Sequence, residues 1–320
     1  MICPSCQSPN ARRWISCQDR LRNKPLDHHA YYRCLTCGLT FLHPQTTSQS
    51  YDQHYDAQYL SHVAERPRVP SDTARRLRLM QERERAWEQN PSFFSRLFRR
   101  TGFFRHTPFK MLGHGKRLLD VGSGAGTFLL TQQHLGWNVS GLEPSQSMVE
   151  QSRSWGLDVR QGFSIAEQWK EPTFDVVVLN QVFEHLTDPR QILRDARQAL
   201  TQGGILYLNM PTNQSVVAQV FRSFWFNLDA PRHNLLFSPS TLRTLLQEEG
   251  FEVLDLYTAS STKGWTGSIE YFLRDALHVP LVDGRLRRHH LLNLLLKPLV
   301  RLLDWIGYGD NLHVIAKTEL

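Results

Sequence analysis

The stretch RLLDVGSGAGTF, Arg117–Phe128, limits the fold more than any other part of the chain. A short apolar run reaches an acid, Asp120, and gives way to Gly122, Gly124 and Gly126 before a second apolar run begins. Glycines placed like this let a strand turn sharply into a helix, and let backbone approach a ligand closely. Their order is G-x-G-x-G. A dinucleotide loop wants G-x-G-x-x-G, whose third glycine packs helix on strand, and here Thr127 holds that place. Asp120 argues the same way. A carboxylate repels a pyrophosphate and attracts an ammonium group. A ligand with an amino-acid tail and a sulfonium suits it, its own carboxylate meeting the N–H groups at the start of the helix.

Beyond this loop strand and helix patterns alternate. The strands are KRLLDVG, WNVSGLEP, LDVRQG, the Val-rich FDVVVLN, ILYLNMP, FEVLDLYTA and NLHVIAK. The helices are GTFLLTQQHLG, SQSMVEQSRSWG with Ser145 as N-cap, SIAEQW, DPRQILRDARQALTQGG ending in glycine, and SPSTLRTLLQEEG with Pro239 in its first turn. This rhythm predicts an α/β fold: a seven-stranded, mostly parallel Rossmann-like sheet with helices on both faces. Glu143 ends the second strand, where an acid accepts hydrogen bonds from ribose hydroxyls.

The N-terminus carries a second constraint. Cys3 and Cys6 form one C-x-x-C pair, Cys34 and Cys37 another, and Gly38 permits a tight turn after the second. Two such knuckles bring four thiolates around Zn²⁺, so a small zinc ribbon is expected, its ion structural because sulfur fills every position. Cys17 stands outside both pairs. The predicted organisation is a zinc-ribbon module over 1–44, a helical linker or lid over 45–110, and an α/β domain over 111–320 with a helical insertion at about 260–308.

Taken together, LLDVGSGAGTF, VSGLEPS, FDVVVLNQVFEHL and ALTQGGILYLNMP resemble the class I S-adenosylmethionine-dependent methyltransferases over about Lys116 to Pro211. The resemblance implies a reversed C-terminal hairpin in the sheet and S-adenosylmethionine across the ends of the first strands. It implies that Asp120, Gly122, Ser123, Gly124, Gly126 and Phe128 hold the methionine part. Glu143 and Pro144 would lie at the ribose, Gly162 and Phe163 at the adenine, and Asn180 and Gln181 near the sulfonium. RQGFSI departs from the family pattern in having no acid before Glu167. The ribbon, with DAPRHNLLFSPSTLRTLLQEEGF, looks like a bacterial subgroup acting on small molecules or sugar-containing envelope precursors.

If the acceptor is a hydroxyl, a base must take its proton. His185, just after the fourth strand, and His233, in DAPRHNLLFS, are the candidates; Arg232 could pair with an anionic acceptor. Each has a plainer role open to it, in packing or in pinning a loop. VFRSFWFNLD is expected to wall the acceptor pocket. His28, His29, His289 and His290 have no motif around them and are expected at the surface.

Charge is uneven. Eleven arginines and one lysine face five acids between Ser61 and Lys110, which accounts for the whole net charge of +7. That segment suits a solvated helix face or contact with an anion. Tyr51, Tyr55 and Tyr59 share one helix face before it. Near the C-terminus RLRRHHLLNLLLKPLVRLLDWIGYG mixes leucines with cations, open to internal packing, a homodimer interface or contact with a membrane surface. The chain shows no charge-free run able to span a bilayer and no secretory leader, so a cytoplasmic enzyme is expected, with a small-molecule or envelope-precursor acceptor. An RNA-directed methyltransferase is the alternative, weakened because NQVF replaces the N-P-P-[YF] loop of enzymes that methylate exocyclic amines. A non-catalytic cofactor-binding module is another.

Overall fold

A computed structural model describes residues 1–22, 24–47 and 117–319 of the chain. The tyrosine stripe, the Arg-rich segment and most of the expected linker lie outside the described residues. The N-terminal strands are β1 (Ala11–Asp19), β2 (Lys24–Cys34) and β3 (Thr40–His43). The α/β part follows in the order β4 (Arg117–Val121), α1 (Thr127–His134), β5 (Asn138–Glu143), α2 (Gln146–Ser154), β6 (Asp158–Gln161), α3 (Ile165–Gln168), β7 (Phe174–Asn180), α4 (Pro189–Ala199) and β8 (Leu200–Pro211). It closes with α5 (Val216–Phe221), β9 (Leu235–Leu236), α6 (Pro239–Glu248), β10 (Phe251–Thr258), α7 (Lys263–Asp275), α8 (His290–Trp305) and β11 (Asn311–Thr318).

Seven strands form the main sheet in the order β10-β11-β8-β7-β4-β5-β6. β4 to β8 are mutually parallel, and β11 runs antiparallel between β8 and β10. The expected mostly parallel sheet with a reversed C-terminal hairpin is therefore present. Pleating sorts its residues onto two faces. Leu119, Val121, Val177 and Leu179 join the core beneath α4 and α6, while Leu118, Val176 and Val178 join the core beneath α1 and α2. Both faces of β7 are buried, which is why FDVVVLN has no polar alternation. Each such valine contributes about 1.5–3 kcal/mol of burial.

Two local expectations need correction. The helix over DPRQILRDARQALTQGG stops at Ala199, and Leu200 already pairs with Phe174 as the start of β8. Gly203, at φ +70°, therefore serves an irregular stretch within the strand. Ser145 does sit at the N-cap of α2, but its hydroxyl bonds Ser147 Oγ at 3.1 Å and caps no backbone N–H.

The four-stranded N-terminal sheet has the order β1-β2-β3-β9, so its last strand comes from the loop after β8. Arg232, in that loop, explains the joint. It is fully buried and bonds both carboxylate oxygens of Asp19, at 3.1 and 3.2 Å, and those of Asp229, at 2.6 to 3.0 Å. Tyr31 Oη lies 2.7 Å from the His233 carbonyl and 2.9 Å from that of Leu228. Arg190 on α4 bonds the Ser5 carbonyl at 2.6 Å and Glu249 at 2.6 Å, fastening the N-terminus to the far side.

Removing one partner of a buried ion pair strands the others without a counter-charge. Arg232→Met should lower unfolding stability by about 3–5 kcal/mol, measured by urea unfolding. A midpoint unchanged from wild type would contradict the structural role given to this arginine.

Candidate active site

β4 lies where the strand order reverses, β5 and β6 on one side and β7 and β8 on the other. Open α/β sheets bind ligands outside the carboxyl ends of their strands at this point. A cavity of about 650 Å³ opens there, within the range of small-ligand sites.

The glycine turn forms its floor. Gly122 N–H and Ser123 N–H both donate to the Leu142 carbonyl, at 2.7 and 3.1 Å, tying the turn to β5. Gly122 has φ +69°, and a Cβ there would meet Val182 Cγ2 at 2.5 Å. Glycine is required by both conformation and space. Ser123 Oγ is buried in the cavity wall without a hydrogen-bond partner.

Glu143 closes the turn. One carboxylate oxygen accepts Gly124 N–H at 2.8 Å and the other accepts Ser145 N–H at 2.9 Å. Burial raises Glu143 above the usual carboxylate range, and these two donors oppose the rise. Asp120 is 4% exposed, and Glu143 is 5% exposed. Burial, and then the charge of Glu143, push Asp120 well above the usual carboxylate range.

Of the cofactor residues expected from sequence, Gly122, Ser123, Gly124, Phe128, Glu143, Pro144, Gly162, Phe163 and Gln181 line the cavity. Asp120, Gly126 and Asn180 do not. Asp120 is buried behind the turn, Gly126 faces Leu157 and Ser152 rather than the cavity, and Asn180 Oδ1 accepts from Asn209 Nδ2 at 2.7 Å. Gln181 adopts φ +58°, uncommon outside glycine, and its N–H bonds the Asn209 carbonyl at 2.7 Å.

Sequence reasoning missed one wall. Asp188 caps α4, accepting Arg190 N–H and Gln191 N–H at 3.0 Å, and Gln191, Ile192 and Asp195 follow on one face of that helix. The i, i+3, i+4, i+7 spacing of these four was the available signal. Thr46 and Thr47 also reach the cavity, and Thr46 is held there by Asn234. Nothing local to TT announces that.

Among the three residues proposed for chemistry, only His185 lines the cavity. Its Nδ1 lies 3.0 Å from the Arg232 carbonyl, an acceptor, so Nδ1 carries the proton and Nε2 is the basic nitrogen. Burial, then His233, lowers His185 to about 3. His233 is buried, its Nδ1 2.9 Å from the Asn227 carbonyl and its ring packed edge-to-face on His185 at 4.7 Å. Burial lowers His233 as well. Arg232 is enclosed with its two acids, away from the cavity. Glu184, fully buried, has neither carboxylate oxygen hydrogen-bonded, and burial pushes it up to about 8. VFRSFWFNLD does not wall the cavity: Trp225 is buried and donates from Nε1 to Asp310 at 2.8 Å, because its indole needs an acceptor in the core.

The four N-terminal cysteines converge. Cys3 and Cys37 sulfurs are 3.6 Å apart, Cys6 and Cys34 3.5 Å, and all four lie within 4.8 Å. Sulfurs tetrahedrally placed about 2.3 Å from one ion are about 3.8 Å apart, so this set could hold a metal. The hydrogen bond between Cys3 and Cys37 lowers the Cys3 thiol and raises that of Cys37. Gly38, at φ +80°, turns the chain after the second pair, and its N–H bonds the Cys34 carbonyl at 3.0 Å. Cys17, half-buried, stands apart, and burial pushes its thiol up to about 12.

A family model described as a methyltransferase domain matches residues 79–256. The chain is 28% identical over 174 residues to a ubiquinone biosynthesis O-methyltransferase of Maricaulis maris, covering 48% of this chain and 68% of that protein. It is 28% identical over 169 residues to the protein of the same name from a Caulobacter species, covering 49% and 65%. Neither alignment spans the full length of its partner. A solved structure of a SAM-dependent methyltransferase from Archaeoglobus fulgidus is similar at a TM-score of 0.46 and 18% identity, covering 70% of this chain and 95% of that one.

Proposed function

This chain belongs to the methyltransferase domain family and is an S-adenosylmethionine-dependent methyltransferase; we propose that it methylates a hydroxyl of a small-molecule or lipid-linked acceptor. The oxygen acceptor rests on the names of its relatives, ubiquinone biosynthesis O-methyltransferases. One structural observation carries the reading: the glycine turn, Glu143 and His185 face a single cavity.

The residues present fit the donor. An unpartnered buried hydroxyl on Ser123, a carboxylate at Glu143 and a second acid behind it suit a ligand with an ammonium and a ribose diol. When bound, the donor supplies a methyl group already activated on a sulfonium. Glu143 retains lone pairs for ribose hydroxyls beyond its two N–H bonds. Gly162 and Phe163 would border the adenine, and Asp188 and Asp195, which line the same cavity, would offer it acceptors that RQGFSI lacks. Gln181, held at its unusual backbone angle, lines the same cavity as the turn and His185.

For such a reaction the protein mainly aligns the acceptor, and orientation carries most of the rate. His185 takes the acceptor proton at Nε2. A weak base suffices, because an oxygen gaining a methyl becomes positively charged and strongly acidic. Asn234 Nδ2 holds the His185 carbonyl at 2.8 Å and the Thr46 carbonyl at 2.7 Å, so the N-terminal sheet helps set this wall. We propose further that Cys3, Cys6, Cys34 and Cys37 bind one structural zinc ion.

Incubating the full chain with methyl-labelled S-adenosylmethionine and extracts rich in hydroxylated or lipid-linked metabolites should place label in a small-molecule ether. Label confined to RNA would overturn the reading. His185→Asn should cut turnover by about 10²–10⁴-fold with donor affinity retained. Protonation removes this base only as pH falls toward about 3, so the wild-type rate should show no acid limb between pH 8 and 6. A limb near 6.5 would contradict the buried, neutral histidine. Metal analysis should find one zinc per chain, lost in the Cys34→Ser/Cys37→Ser variant; retention in that variant would exclude the four-sulfur site.

A further inference from the structure

α8 and the segment leading into it carry an apolar face turned to solvent. Leu291, Leu294, Leu295, Leu299, Leu302, Trp305 and Ile306 are 40% to 68% exposed. They recur at i, i+3, i+4, i+8, i+11, i+14 and i+15, which is one side of an α-helix. The opposite side packs inward through Val300, Leu303 and Asp304. Asp304 is held there by Ser260 and Arg301, so the acid of this helix points away from the exposed leucines. Val282, at 71% exposed, and Tyr308, at 45%, flank the two ends.

The charge along this face is mainly cationic, and Asp283, the exposed acid before it, is paired with Arg287 and Arg274. Arg285, Arg288, His289 and His290 precede it, and Lys297 and Arg301 run along one edge. At 100° per residue Lys297 and Arg301 fall beside the leucine stripe, between it and the packed side. No helix among the described residues is long and apolar enough to cross a membrane. At 16 residues α8 is about 24 Å long, short of the hydrocarbon thickness. A helix with an apolar face, cations on its margin and aromatic residues at its end is built to lie in the interfacial plane.

We propose that α8 docks this protein on a lipid bilayer bearing anionic headgroups, its leucines entering the acyl boundary and Lys297, Arg301 and the preceding arginines meeting phosphate. The topology gives this a purpose. The insertion leaves β10 at Thr258 and returns at Asn311, which pairs with Pro211 at the carboxyl end of β8. The insertion therefore begins and ends on the carboxyl-end side of the parallel strands, the side on which the cavity opens, with three strands between β10 and β4. A bilayer held there presents lipid-linked molecules at the level of the active site.

The test uses the full chain with vesicles of phosphatidylcholine alone or with phosphatidylglycerol. Wild type should co-sediment with the anionic vesicles at low salt and far less with neutral ones. Leu295→Asp/Leu302→Asp should reduce anionic binding at least about tenfold, since a charge is costly at the acyl boundary. Lys297→Glu/Arg301→Gln should reduce it and weaken its salt dependence. Leu295, Leu302 and Lys297 are exposed and Arg301 is partly buried beside Asp304, and unchanged S-adenosylmethionine binding reports that each variant is folded. Wild type remaining in the supernatant, or the leucine variant sedimenting as well as wild type, would overturn the proposal. So would a wild-type dimer that the leucine variant splits without vesicle binding, for the face would then join two copies of the chain.

Discussion

Two buried carboxylates under one turn set the conditions for the rest of the site. Asp120 and Glu143 end neighbouring parallel strands, both nearly out of solvent. Two acids so placed cannot both ionise cheaply without donors or a cation. Glu143 takes its share from Gly124 and Ser145 N–H, and in doing so it shapes the glycine turn. Burial, and then the charge of Glu143, raise Asp120 well above the usual carboxylate range, which a nearby positive charge would relieve. A pyrophosphate close by would worsen this arrangement and an ammonium group would relieve it.

The turn also depends on what surrounds it. Gly122 leaves room for Val182, which begins the segment carrying Glu184 and His185. Asn234 grips that segment from the loop after β8, donating to the His185 carbonyl while its own N–H bonds Glu184. The loop is in turn locked to β1 by Arg232 and to β3 by the pairing of β9. The small N-terminal sheet is thus part of the wall that holds His185, and a metal bound by its cysteines would stiffen that wall from outside.

Much of this was legible in the sequence, for definite reasons. The strand-turn-helix grammar of RLLDVGSGAGTF and the unbroken valines of β7 are local signals, and the reversed hairpin followed from the family resemblance those motifs carry. The cysteine pairs converge as their spacing implied. What stayed hidden depends on contacts distant in sequence. A two-residue strand, β9, has no pattern of its own, and Arg232 looked like an anion receptor because arginine is seldom fully buried. Asp120 was expected at the ligand, yet it stands one layer behind the cavity wall, a matter of depth that spacing does not encode. The wall from α4 was written in its helical period but lay outside the strand ends where ligands were sought.

The most direct measurement is calorimetric titration of S-adenosylmethionine into the full chain, across acid to neutral pH, in buffers of differing ionisation heat. Because Asp120 is raised without ligand and a cation lowers it, binding between those two values must expel a proton, and affinity must climb as pH rises toward the ligand-free value. The account predicts that release in wild type and its loss in Asp120→Asn, together with weaker binding. Affinity independent of pH, with the same heat in every buffer and an unaffected Asp120→Asn protein, would contradict it.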